Sequence, residues 1–203
     1  MDKNYLEAIY DDACKDLKEH SKYRLNFGVY FTPAESTAGT AMRAFQKKYG
    51  KIPNVSDRDY FTNSIHVPVW KEMDPFEKID IESELTGYSI AGCITYVEIG
   101  DNAANNLDSL EQIVLYAKKK DIPYFALNVR LSECTCCGYH GYIPYGEDCP
   151  KCGASHEDAV NDFARITGYL SVTIKHFNFA KKSEAKDRVV HTNYCKNWIK
   201  GKA

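Results

Sequence analysis

Five of the eight cysteines fall between Cys134 and Cys152. Cys134-Thr135-Cys136-Cys137 and Cys149-Pro150-Lys151-Cys152 form two Cys-x-x-Cys knuckles separated by eleven residues. Four thiolates at this spacing suit tetrahedral zinc, and a shell closed by four protein ligands is of the structural type. Each knuckle is followed by glycine (Gly138, Gly153), which lets the backbone turn so that amides can face the thiolates. Cys136 offers an alternative ligand in the first knuckle; Cys134 and Cys137 are favoured because only they enclose two residues. A redox pair is the other use of Cys-x-x-Cys, and two knuckles together argue against it. Lys151 is the only Lys or Arg from Cys134 to Cys152, and Glu147 and Asp148 are acidic. A ribbon that reads nucleic acid is therefore unsupported, and the expected role of the metal is scaffolding.

A second candidate is Thr32-Pro33-Ala34-Glu35-Ser36. Thr32 fits an N-cap, Pro33 the first helical position and Glu35 the third, a capping box with proline where its missing N–H costs nothing. Free amides at such a helix start make an anion site, most often for phosphate. Plain helix capping is the commoner use of the same pattern.

These residues need elements to carry them. Leu6, Ile9, Tyr10, Ala13 and Leu17 recur at helical spacing and mark an amphipathic first helix. Leu25 to Phe31 reads as a buried strand leading into the Thr32 turn, followed by a second helix ending near Gly50. Pro53 to Asp59 reads as loop. Strands are expected around Ile65 to Val69 and over Ser89 to Ile99. A helix spans Leu107 to Lys120 with Leu110, Ile113, Val114 and Ala117 on one face, and Tyr124 to Leu131 is the next strand. This order suggests an α/β layer or a segment of an α/β barrel. After Leu131 a cysteine- and glycine-rich appendage begins.

The 203 residues carry a formal net charge of -2, which gives no global basic field to attract a polyanion. No stretch approaches the length of an apolar membrane span, and the amino terminus lacks an apolar core segment for export, so a cytoplasmic location is expected. In that compartment clustered cysteines point to metal or redox chemistry instead of disulfides.

Past the knuckles lies Arg165-Ile166-Thr167-Gly168-Tyr169-Leu170-Ser171. Alone, a Gly-Tyr pair is an ordinary turn signal. The ordered set is more specific: the Thr32 turn, then Tyr60-Phe61-Thr62-Asn63-Ser64-Ile65-His66-Val67, two knuckles, and Arg-x-x-Gly-Tyr-Leu. From about Tyr23 to about His191 it closely resembles the carboxy-terminal third of anaerobic (class III) ribonucleoside-triphosphate reductases. The resemblance implies a carboxy-terminal segment of a glycyl-radical-enzyme α/β barrel over 1–131, with the phosphate-binding turn. A four-cysteine zinc ribbon over 132–157 and the radical loop and tail over 158–203 complete the implied plan. It assigns a stable backbone radical to Gly168, installed by an activase that uses S-adenosylmethionine and an iron–sulfur cluster. A Cα radical flattens and delocalises over the flanking amides. A β-carbon there would crowd the atom that exchanges hydrogen with a thiol, and oxygen would cut the chain. The same resemblance gives Thr32, Ala34, Glu35 and Ser36 to the phosphates of a ribonucleoside triphosphate substrate.

Two positions depart from the family pattern: Thr167 stands where many relatives have cysteine, and Ser171 where glycine is frequent. The resemblance also leaves parts missing, namely the effector site, the first barrel strands and the loop with the thiyl cysteine. Cys93 reads as a buried core residue and Cys14 sits among charges, so neither replaces it. Cys195 reads as an exposed tail cysteine, His66 as a structural histidine, Lys118 to Lys120 as a solvated helix end, and Tyr169 as packing for the radical loop. The chain is expected to work with an amino-terminal reductase portion, as one product of a divided gene. A spare-part subunit for an oxygen-cleaved reductase and a zinc-ribbon binding module without radical chemistry are the alternatives.

Overall fold

The computed structural model describes residues 3–23, 28–31, 37–62, 64–166, 169–171 and 176–199. Helix α1 spans Lys3–His20, and its apolar stripe (Ile9, Tyr10, Ala13, Leu17) is only partly covered. Helix α2 spans Ala38–Tyr49 and buries Ala38, Gly39 and Met42. Helix α3 spans Pro75–Thr86, where no element was expected. Its start has a clear chemical cause. The Asp74 carboxylate accepts from the amides of Phe76 and Glu77 at 2.8 and 2.9 Å, and Pro75 takes the first helical position.

Strand β1 (Thr95–Ile99), helix α4 (Leu107–Lys119) and strand β2 (Phe125–Val129) form a parallel β-α-β unit with Glu98 opposite Asn128. Strand alternation divides the labour in β1. Val97 and Ile99 point into a core with Ile79 of α3 and Ile113 and Ala117 of α4. Tyr96 and Glu98 face the other way and line a cavity. Of the expected α4 stripe, Ile113 and Ala117 are buried while Val114 is 43% exposed.

Strand β3 (Leu131–Cys134) follows almost at once. With β4 (His140–Gly141), β5 (Val160–Ile166) and β6 (Tyr169–Ser171) it makes an antiparallel sheet in the order β4-β3-β5-β6. A short helix α5 (His156–Ala159) precedes β5, and helix α6 spans Phe179–Asp187. The tail returns to the first core: Trp198 is 6% exposed there, and Cys195 packs against the same cluster instead of lying free in solvent.

Two expected strands are corrected. Ile65 to Val69 has no strand structure, because Ser64 has a positive φ, the Val67 amide donates to the Glu82 carboxylate at 3.0 Å, and Pro68 has no amide to give. The strand expected from Ser89 begins only at Thr95, since the Gly92 amide donates to the Ser89 carbonyl at 2.9 Å and Gly92 has φ 113°. Of the strand expected over Leu25 to Phe31, residues 28–31 show no regular structure and the others lie outside the described residues. The Thr32-to-Ser36 turn lies outside them too.

Asp74→Ala removes both cap bonds of α3 and is expected to lower the unfolding free energy by about 1 kcal/mol, read from the urea midpoint at unchanged slope.

Candidate functional site

The thiolates of Cys134, Cys137, Cys149 and Cys152 all lie within 4.8 Å of one another. Cys134 and Cys152 are 3.7 Å apart at sulfur, as are Cys137 and Cys149. Four sulfurs at ~2.3 Å from a tetrahedral zinc ion would stand ~3.8 Å apart, so donor set and spacing both fit zinc. Cys136 is exposed and outside the cluster. The knuckles are built alike. Gly138 and Gly153 have φ 65° and 70°, and each donates its amide to the carbonyl of the first cysteine of its knuckle, at 2.9 and 2.8 Å. Burial opposes ionisation of Cys149, but amides of Cys152 and Lys151 pointing at its sulfur, with the neighbouring thiols, bring it down to about 6.

The ribbon is locked onto β5. Ladder pairs run from Cys134↔Val160 to Leu131↔Phe163. His156 sets Nδ1 2.9 Å from the Glu147 carbonyl and Nε2 2.8 Å from the Asp162 carboxylate, whose second oxygen accepts from Ser132 Oγ at 2.7 Å. Strands β5 and β6 flank positions 167 and 168, with Ile166 opposite Tyr169. Thr167 and Gly168 themselves lie outside the described residues.

On the far side of β1 is a cavity of about 360 Å³. Tyr30 and Phe31, just before residue 32 in the chain, line it, as do His66, Cys93, Tyr96, Glu98, Arg188 and His191. Its walls hold buried charge in fixed pairs. Glu82, 1% exposed, is bound by Lys78 and faces His66 Nδ1 at 3.3 Å. Burial would push Glu82 up, but the Lys78 ammonium and the His66 ring overcome it and hold the carboxyl at about 2. Cys93 is half-buried at the cavity wall; burial, then the Glu82 charge, push its thiol up to about 11. Such a thiol stays protonated near neutrality.

The second charged group joins Glu98, Arg188, Glu184 and Lys181. Arg188 pairs with Glu98, bonds Glu184 at 2.8 Å, and Lys181 reaches Glu184 at 2.5 Å. Burial opposes the charge on Arg188, and the two carboxylates more than offset it. His191 Nδ1 accepts from the Glu98 amide at 2.9 Å, which leaves any ring proton on Nε2. Burial, with the Lys78 ammonium adding to it, holds His191 down at about 3, so it is neutral. None of Glu82, Glu98, Glu184, Arg188 or His191 stood out in the sequence; a charged residue inside an apolar strand, as at Glu98, was the available signal. Lys120 is not a freely solvated end, since it bonds Asp80 at 2.6 Å.

A parallel α/β unit carrying a thiolate-stapled ribbon defines the class of protein, and comparison with known proteins makes it specific. A family model described as anaerobic ribonucleoside-triphosphate reductase matches residues 3–191. The chain is 35% identical over 183 residues to the anaerobic ribonucleoside-triphosphate reductase of Escherichia coli (strain K12), covering 88% of this chain and 25% of that protein. It is 36% identical over 169 residues to the reductase of that name from Enterobacteria phage T4, covering 81% and 28%. Among solved structures, an anaerobic ribonucleotide reductase superposes with a TM-score of 0.66 at 26% identity, over 92% of this chain and 28% of that one. The Thermotoga maritima anaerobic ribonucleotide reductase with glycerol in the active site gives 0.53 at 25% identity, over 82% and 24%. The chain belongs to the anaerobic ribonucleoside-triphosphate reductase family and spans about a quarter of the length of these relatives.

Metal analysis of the purified chain is expected to give about one zinc per chain, lost in Cys134→Ser, Cys137→Ser, Cys149→Ser and Cys152→Ser but kept in Cys136→Ser. Zinc loss in Cys136→Ser with retention in Cys134→Ser would reassign the ligand set.

Proposed function

We propose that this chain is the radical-bearing, carboxy-terminal component of an anaerobic ribonucleotide reductase, acting with an amino-terminal portion that supplies the rest of an α/β barrel. The observation that carries the reading is the family match over residues 3–191, which takes in both the four-cysteine cluster and the Arg165-x-x-Gly168-Tyr169 segment after it. An activase removes one hydrogen atom from Gly168 Cα. The resulting radical supplies hydrogen abstraction from a cysteine thiol of the amino-terminal portion, which starts reduction of a ribonucleoside triphosphate.

This chain's own residues do the holding. Cys134, Cys137, Cys149 and Cys152 would hold zinc beside the β3–β5 ladder, and β5 ends at Ile166, two residues before Gly168. The amides of the Thr32-to-Ser36 turn are assigned to the substrate phosphates. In favour of this, Tyr30 and Phe31 line the cavity, and Ser64 Oγ donates to the Phe31 carbonyl at 2.8 Å. Lys78 and Arg188 are both paired with buried carboxylates, so the assignment of the phosphates rests on the turn amides and not on these cations.

Anaerobic incubation of the zinc-loaded chain, its amino-terminal portion and an activase is expected to give a glycine-type doublet in electron paramagnetic resonance, absent in Gly168→Ala. Zinc-loaded, folded protein that gives no doublet with a working activase would leave a zinc-ribbon binding module. Restoration of an oxygen-cleaved full-length reductase would mark a repair subunit.

A further inference from the structure

The β3 ladder on β5 is over at Phe163, yet two residues further on the main chain of Arg165 is still held. Arg165 stands opposite Leu170 of β6, and its own amide and carbonyl are bonded by the Asn128 side chain. Asn128 Oδ1 accepts from the Arg165 amide at 3.2 Å, and Nδ2 donates to the Arg165 carbonyl at 2.9 Å. The remaining Nδ2 hydrogen goes to Glu98 Oε2 at 2.7 Å. Both groups facing Nδ2 are acceptors only and the group facing Oδ1 is a donor, so a single amide orientation satisfies all three. Asn128 is 7% exposed, and Glu98, its register partner, is fixed in turn by Arg188. One carboxamide thus imitates a strand edge and joins two separate sheets three residues before Gly168. Arg165 adds a second link on the same face, its guanidinium 5.6 Å from the centre of the Tyr96 ring at the cavity wall.

We propose that Asn128 is a positioning residue for radical transfer: it docks the strand that leads to residue 168 onto the β-α-β unit, with Glu98 and Arg188 holding the amide in its working orientation. The catalytic half of this proposal rests on the assignment of the radical to Gly168; the docking half does not. Alanine removes all three bonds. Aspartate keeps the shape but presents acceptor oxygens to the Arg165 carbonyl and the Glu98 carboxylate, so it is expected to be no better than alanine.

Two measurements separate the halves. In the zinc-loaded full chain, amide hydrogen exchange of Arg165 is expected to rise at least about tenfold in Asn128→Ala and Asn128→Asp, while amides of the β3–β5 ladder and the zinc content stay unchanged. Unchanged exchange at Arg165 would overturn the docking itself. In the reconstituted, activated assembly, turnover per electron spin is expected to fall at least about tenfold in both variants at unchanged KM for nucleotide, the mark of misplacement and not of lost binding. Turnover per spin within about twofold of the parent would overturn the positioning role, whereas absence of any doublet in the parent chain would overturn the radical assignment beneath it.

Discussion

Four thiolates within 4.8 Å of one another would repel unless a cation sat among them, and that requirement bears on the ribbon and its ladder to β5. The ribbon has only a small apolar cluster of its own, built from Ala159, Ala154, Tyr139 and the cysteines themselves. A metal ion held by the four cysteines would contribute folding free energy that burial there cannot supply. Once the knuckles are closed, Cys134 starts the pairing with Val160 and β5 is set in register. His156 repeats the link through side chains, bridging the Glu147 carbonyl to Asp162.

The sheet side supplies a second frame, made of buried charge. Helix α3 buries Lys78 and Glu82, and α6 buries Lys181 and Glu184. Such pairs recover little net stability, because desolvation offsets their attraction. They do fix orientation, and here they fix Glu98 and Arg188 at the cavity. They also explain why α3 and α6 were not legible from apolar periodicity: charged Lys78, Glu82, Lys181 and Glu184 interrupt the inward faces between Ile79, Leu85, Ala180 and Ala185. Asp74-Pro75-Phe76-Glu77 has the same cap grammar as Thr32-Pro33-Ala34-Glu35, so α3 did carry a local signal. Helix α4 was legible because Ile113 and Ala117 face an ordinary core.

The same division holds for the site. Cysteine spacing pointed to the thiolate cluster directly, since ligand geometry forces residue type and interval together. Residues that act by meeting across the fold left no such trace. Asn128 touches Arg165 across 37 positions and Glu98 across 30, and nothing local distinguishes it from any polar residue in a strand. Cys195 reads as an exposed tail cysteine in the sequence, yet it packs against the first core beside Trp198, because a chain end can return to any surface.

The proposed unpaired electron at residue 168 would make the backbone sensitive to oxygen at that one point. Its most direct test is mass spectrometry of the reconstituted, activated assembly after brief exposure to air. Scission at Gly168, dependent on activation and absent from Gly168→Ala, is the expected result. An intact chain after confirmed activation, or a cut at another residue, would contradict the account.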